Sequence, residues 1–200
     1  LGFYIDDETF ESLCRIRERI KIISRERIAD ELNKILLSPV PSKGFIDLER
    51  SGLLALIFPE LMELQGVETR NGRAHKDNFY HTLEVLDNIS RHTDNLWLRW
   101  AALLHDIAKP LCRSFGPDGA AHFKGHNQRG AQLARVILRR LKAPAYLVDG
   151  AVGLIAVHDA PLPADDAGIL KLLNRSGAIF LRRLLSLIHI SEPTRLALIS

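Results

Sequence analysis

Apolar residues recur at spacings of three and four along most of this chain of 200 residues. Such spacing places them on one face of a helix with 3.6 residues per turn. No segment alternates apolar and polar residues for long enough to predict a strand. The sequence therefore predicts an all-α fold, with a break at Pro39, Pro41 and Gly44 and with helices over residues 7–23, 24–36, 45–50, 53–57, 81–89, 95–105, 126–141, 145–158 and 167–173.

Composition places the chain among globular proteins, because 46% of its residues are hydrophobic and 26% are charged. No apolar run approaches about 18 residues, so no membrane span is predicted. Cys14 and Cys112 have neither metal-ligand nor disulfide spacing, which favours a reducing cytoplasm. The net charge of +3 permits RNA or phosphate-bearing partners but does not argue for them by itself.

A histidine and an aspartate stand side by side at the end of an apolar helix, in AALLHDIAKP at residues 101–110. An unpaired buried carboxylate costs several kcal/mol, so Asp106 needs partners. If the helix that begins with His81 packs antiparallel to this one, then His81, His105 and Asp106 converge. Two imidazoles and a carboxylate suit Mn, Fe, Ni, Co or Zn better than Mg, and such a metal activates water for attack on phosphorus. The alternative is a set of ordinary structural histidines.

HTLEVL at residues 81–86, followed by LLHDIAKP at 103–110, resembles the HD superfamily of metal-dependent phosphohydrolases. The resemblance implies that His81, His105 and Asp106 are metal ligands, and that His105 and Asp106 take part in catalysis. It also places Lys109 where it could meet a substrate phosphate; the alternative is a charge that favours the helix terminus. It does not distinguish Mg²⁺, Mn²⁺, Ni²⁺ and Co²⁺.

Three flanking motifs narrow the resemblance: SRERIADELNKILLS at residues 24–38, GLLALIFPEL at 52–61 and HKDNFYHTLEVLDN at 75–88. They are similar to bacterial CCA-adding tRNA nucleotidyltransferases of the poly(A) polymerase family. The resemblance implies neck or body helices over 1–38 that follow an absent catalytic head, and an HD-type helical bundle over 39–184. This chain would then be a fragment, itself weakly active or inactive.

The resemblance also implies function. The parent enzyme would add C, C and A to tRNA 3′ ends with CTP, ATP and Mg²⁺, and the HD domain would hydrolyse phosphomonoesters or 2′,3′-cyclic phosphates. Implied partners are tRNA and small nucleotides. Two alternatives are a stand-alone HD phosphohydrolase that acts on nucleotides and a non-catalytic helical module that binds tRNA.

Further candidate residues surround these motifs. The family usually carries H-G-H-E where Lys124 and Asn127 flank the Gly-His pair here, which leaves His126. Whether His126 and His158 extend the metal site stays open, and for His158 a structural role at a helix end is the alternative. Four basic side chains are expected to contact RNA or phosphate through their charge: Arg70, Arg73, Lys76 and Arg129. The alternative is that they are ordinary charged residues on a solvent-exposed surface.

The last sixteen residues, LSLIHISEPTRLALIS at 185–200, have a separate explanation. Their first eleven letters match the conceptual translation of a transposon-end sequencing adapter. We therefore expect residues 185–200 to be non-native. In the family, the final metal-binding aspartate follows a segment like 178–184, so we also expect this chain to lack that fourth ligand.

Overall fold

The computed structural model describes residues 4–66, 69–70, 73–74 and 77–159. Most residues of the described part lie in helices, which confirms the predicted all-α class. The α-helices are α1 Asp7–Ile16, α2 Arg25–Leu36, α3 Pro41–Arg50, α4 Leu53–Ile57, α5 Pro59–Met62, α6 Asn78–Ser90, α7 Leu96–Leu104, α8 Lys109–Cys112, α9 His126–Arg140 and α10 Ala145–Val157. A 3₁₀ helix covers Arg17–Ile22. No helix of the described part has the length and apolarity needed to cross a membrane.

Two very short antiparallel hairpins interrupt the helices, whereas the sequence predicts no strand. In one, β1 (Thr69–Arg70) pairs with β2 (Arg73–Ala74). In the other, β3 (Ser114–Phe115) pairs with β4 (Ala121–His122). Each strand has only two residues, so an alternation of apolar and polar side chains had no room to develop.

The helix predicted over 7–23 is divided into α1 and the 3₁₀ helix. No residue of either segment is buried, so little packing holds the backbone in one continuous α-helix. Ile20 lies in this helix and Ile23 follows its end in extended conformation, and both pack against the hydrophobic core.

The predicted break is confirmed at Pro39, which lies between α2 and α3, but it is wrong at Gly44, which lies inside α3; Pro41 is the first residue of that helix. Proline suits the first turn of a helix, where its missing N–H would have had no acceptor. Gly44 faces α2, and an added Cβ there would lie 2.7 Å from Ile35 Cγ2. The glycine therefore allows α2 and α3 to approach closely rather than ending the helix.

One hydrophobic core extends from Ile28 of α2 to Ile155 of α10. Its centre is α7, in which every residue from Leu98 to Leu104 is buried. This helix packs against α2, α6 and α10, and α10 packs against α9. The apolar surface of α7 thereby carries the residues that follow it, His105 and Asp106, into the interior.

A bidentate ion pair joins α5 to the end of α9. Arg140 Nη1 and Nη2 donate to the two carboxylate oxygens of Glu60 at 2.6 and 2.8 Å. Burial alone would raise the pKa of Glu60, but the hydrogen bonds and charge of Arg140 outweigh it, so the pKa lies below its ordinary value of 4.5.

Glu60→Gln is therefore expected to lower the free energy of unfolding by about 1 kcal/mol at pH 7. A carboxyl whose pKa is depressed by folding stabilises the fold above its unfolded pKa and ceases to do so as pH falls through its folded pKa. The deficit of the variant should thus shrink below the ordinary pKa of 4.5. Urea unfolding at pH 7 and pH 3 measures it, with the exposed Glu63→Gln as control. A deficit that is independent of pH would contradict the ionic explanation.

Candidate metal centre

Four helices present ionisable side chains to one interior point. His105 is the C-cap of α7 and Asp106 follows it. His81 lies in the first turn of α6, His126 is the first residue of α9, and His158 is the C-cap of α10. Asp106 is at the centre and is only 2% exposed.

The first triad consists of His81, His105 and Asp106. Their candidate ligand atoms all lie within 4.8 Å of one another. His105 Nε2 lies 3.1 Å from Asp106 Oδ2, and the imidazole rings of His81 and His105 are 6.1 Å apart between centroids. The antiparallel arrangement expected of α6 and α7 thus brings these three side chains together.

The second triad consists of Asp106, His126 and His158, all of them buried. Asp106 Oδ1 lies 3.5 Å from His126 Nε2 and 3.9 Å from His158 Nε2. The two histidine Nε2 atoms are 3.2 Å apart. Asp106 therefore directs one carboxylate oxygen towards each triad.

Backbone carbonyls fix the tautomer of three of these histidines. His105, His126 and His158 each place Nδ1 2.8 Å from a carbonyl oxygen three residues earlier, which belongs to Ala102, Phe123 and Ile155 respectively. Because a carbonyl only accepts, each Nδ1 must carry the proton and donate. In the neutral ring, Nε2 is left with a lone pair, as a metal-ligating histidine requires.

Lone pairs that face one another need a cation between them. The Nε2 atoms of His126 and His158 are 3.2 Å apart, beside the carboxylate of Asp106. Burial, followed by the charge of His105, lowers the pKa of His158 to about 4, so the ring of His158 does not supply a proton at neutral pH. A metal with ligands at about 2.1 Å separates neighbouring ligand atoms by about 3.0 to 3.4 Å, so the observed spacing fits a metal ion.

Comparison with known proteins agrees with this geometry. A model of the HD domain matches residues 78–173, which include every member of both triads. The chain contains an HD domain. A second model, described as a probable RNA and SrmB-binding site of polymerase A, matches residues 2–64. This range extends beyond residue 38, the end of the neck or body helices expected from the sequence.

Curated relatives of the chain are tRNA nucleotidyltransferases. It is 39% identical over 183 residues to an A-adding tRNA nucleotidyltransferase of Deinococcus radiodurans, covering 88% of this chain and 42% of the relative. It is 36% identical over 214 residues to a CC-adding tRNA nucleotidyltransferase of Thermus thermophilus, covering 98% and 46%. A multifunctional CCA protein of Pasteurella multocida is 33% identical over 187 residues, covering 88% and 44%. The chain thus spans less than half the length of each relative.

Lys109 lies against the shared carboxylate of the HD domain. Its Nζ is 2.7 Å from Asp106 Oδ2 and 5.4 Å from the centre of the Phe123 ring. Burial would raise the pKa of Asp106, but His105 and Lys109 together hold it well below its usual value. Lys109 begins α8 rather than ending α7, so its charge neutralises Asp106 instead of stabilising the end of the α7 helix.

Among the predicted RNA or phosphate contacts, Arg129 is exposed on α9, one turn beyond His126. Arg70 and Arg73 are backbone partners in the register of the first hairpin. Lys76 lies outside the described residues, as do the C-terminal segment 185–200 and any final aspartate ligand. The alignment with the Thermus relative covers 98% of the chain and so extends into 185–200; the adapter origin of that segment stays a prediction.

Sequence reasoning missed Asn127 and Gln128. It treated Asn127 only as a departure from the family pattern and gave Gln128 no role. In the structure both side chains donate to the carbonyl of Ala156 in α10. The sequence offers only a weak signal for these bonds, namely two amide side chains directly after the candidate ligand His126. Their acceptor is 28 or 29 residues further along the chain, so the local sequence does not reveal it.

Proposed function

We propose that the HD domain is a divalent-metal phosphohydrolase that cleaves phosphomonoesters or 2′,3′-cyclic phosphates. The observation that carries the proposal is the pair of Nε2 lone pairs at 3.2 Å beside the Asp106 carboxylate. Imidazole with carboxylate favours Mn²⁺, Co²⁺ or Ni²⁺ over Mg²⁺. When bound, such an ion supplies an acidified water and neutralises phosphate charge.

The residues of this site would have separate roles in metal binding and in phosphate binding. His81, His105 and Asp106 would hold one ion, and Asp106, His126 and His158 a second, with Asp106 shared. The carbonyl bonds from each Nδ1 keep three imidazoles oriented, with Nε2 turned towards the site. Lys109 would contact a non-bridging phosphate oxygen, where its charge stabilises the negative charge that develops as water oxygen bonds to phosphorus and the ester oxygen leaves.

The wider role that we propose is tRNA 3′-end maturation in the cytoplasm. It is supported by the RNA-binding model at residues 2–64 and by relatives named as A-adding, CC-adding and multifunctional CCA enzymes. Transfer from ATP and CTP would occur on a catalytic head outside this chain, after helices over 1–38, with the HD domain over 39–184. Arg70, Arg73, Lys76 and Arg129 would contact tRNA phosphates through their charge.

Hydrolysis of p-nitrophenyl phosphate and of 2′,3′-cyclic AMP by the metal-stripped full chain tests the phosphohydrolase. Addition of Mn²⁺, Co²⁺ or Ni²⁺ is expected to restore turnover, which should be weak because the fourth ligand is expected to be absent, and excess chelator should remove it. Lys109→Met should lower kcat/KM by about 100-fold, whereas Lys124→Met, an exposed lysine in the loop before α9, should not. A chain that binds ions stoichiometrically yet hydrolyses neither substrate would contradict the phosphohydrolase and favour a non-catalytic tRNA-binding module.

A further inference from the structure

Two side-chain amides tie the start of α9 to the end of α10. Asn127 Nδ2 and Gln128 Nε2 donate to the carbonyl oxygen of Ala156 at 3.2 and 2.9 Å. The last four carbonyls of a helix have no acceptor role within that helix, and Ala156 supplies one of them. The carbonyl of Ala156 thus receives two donors from the neighbouring helix.

These bonds lie between the two histidines of the second triad. Asn127 directly follows His126, and Ala156 is two residues before His158. The carbonyl before that of Ala156, on Ile155, accepts from His158 Nδ1. The turns that carry His126 and His158 are therefore joined immediately beside the imidazoles, whose Nε2 atoms are 3.2 Å apart.

The Asn127 amide has a defined orientation. Its Oδ1 accepts the backbone N–H of Gln128 at 2.9 Å, which leaves Nδ2 to face Ala156. A carbonyl oxygen needs a donor, and a carboxylate or an apolar side chain at this position offers none. The bond thus depends on the amide group and not on side-chain size alone.

Packing of the two helices does not depend on these amides. Further along, α9 and α10 contact through buried apolar residues, among them Ala134, Ile137 and Leu154. Gln128 is exposed, and Asn127 is only half-buried. Loss of both amides should therefore leave the fold intact and change only the spacing near the histidines.

We propose that Asn127 and Gln128 are positioning residues that set the distance between His126 and His158 for metal binding. The inference rests on the proposed metal function of the second triad. Groups that hydrogen-bond directly to ligand side chains typically change metal affinity by 10- to 100-fold, because ligands that are not held in place must be ordered when the ion binds. Asn127 and Gln128 act on the backbone that carries the ligands, so we expect an effect at the lower end of that range.

The test is Co²⁺ binding by the full chain, measured by equilibrium dialysis on the site that His158→Gln removes. The double variant Asn127→Leu/Gln128→Met is expected to bind Co²⁺ about 10-fold more weakly at that site. Its far-ultraviolet circular dichroism and Tm should stay close to those of the unmodified chain. Gln132→Met, one turn further along the exposed face of α9, is the matched control and should leave the affinity unchanged.

Each outcome bears on a different proposal. Equal Co²⁺ affinity in the double variant and in Gln132→Met would overturn the positioning role while leaving the metal site in place. An unmodified chain with no Co²⁺ site sensitive to His158→Gln would overturn the metal function of the second triad, and the positioning role with it. A double variant weakened only in step with a fall in Tm would show a structural role and would also overturn the inference.

Discussion

Asp106→Asn is expected to weaken divalent-metal binding by about 100-fold or more at both triads. Asp106 supplies the carboxylate of each triad, with Oδ2 beside His105 and Oδ1 beside His126 and His158. Asparagine keeps the shape but loses the charge, and its –NH₂ group turns a donor towards whichever triad it faces. No other single substitution removes a ligand from both groups.

Equilibrium dialysis with Mn²⁺ and Co²⁺ measures this loss. Asp149→Asn is the control, because Asp149 is an exposed aspartate paired with Arg135 at 3.3 Å on the outer side of α9 and α10. It should bind both ions as the unmodified chain does. A folded Asp106→Asn variant that retained full metal affinity would show that the ions bind elsewhere.

The largest effect on stability is expected at Arg99, where Arg99→Met should cost about 3 to 5 kcal/mol of unfolding free energy. Arg99 is 1% exposed although it carries a full charge. Its guanidinium donates to five acceptors: the carbonyls of Leu36, Ser38, Ser90 and Thr93, and the carboxylate of Asp94. Methionine fills a similar volume but leaves buried carbonyls at the ends of α2 and α6 unsatisfied.

Urea unfolding followed by tryptophan fluorescence measures this change, since Trp97 and Trp100 lie on the same helix as Arg99. Arg135→Met is the matched control: Arg135 is half-exposed, and among the residues that the structure describes its ion-pair partner is the exposed Asp149. Its cost should stay below about 1 kcal/mol. A loss of that small size at Arg99 would mean that water or rearranged helix ends replace the missing donors.

Much of the fold follows from short-range patterns in the sequence. Serine favours the N-cap position, and the hydroxyl of Ser24 accepts from the backbone N–H of Arg27 at the start of α2. The strongly apolar stretch predicted over 95–105 becomes α7, with Asn95 as its N-cap. Caps and apolar periodicity act within a few residues, so the sequence displays them directly.

Errors arose where a neighbouring helix decided the local structure. We predicted a helix break at Gly44 because glycine disfavours helices. In the structure, the close approach of Ile35 requires a residue without a side chain at this position of α3. The helix predicted over residues 7–23 ends as an α-helix at Ile16, because no residue of the segment up to Ile22 is buried and little packing holds it in one helix. Neither cause is visible in the local sequence.

The candidate site divides in the same way. The sequence by itself selected His81, His105 and Asp106, because His105 and Asp106 are adjacent at the end of an apolar helix and the motifs around all three resemble the HD superfamily. Whether His126 and His158 join them was left open, since they are 32 residues apart and meet only through the packing of α9 on α10. The local sequence determines helices, their caps and the chemistry of the candidate ligands, because these depend on residues close together in the chain. The distances between ligands on different helices depend on how those helices pack across the core, so only the tertiary structure decides them.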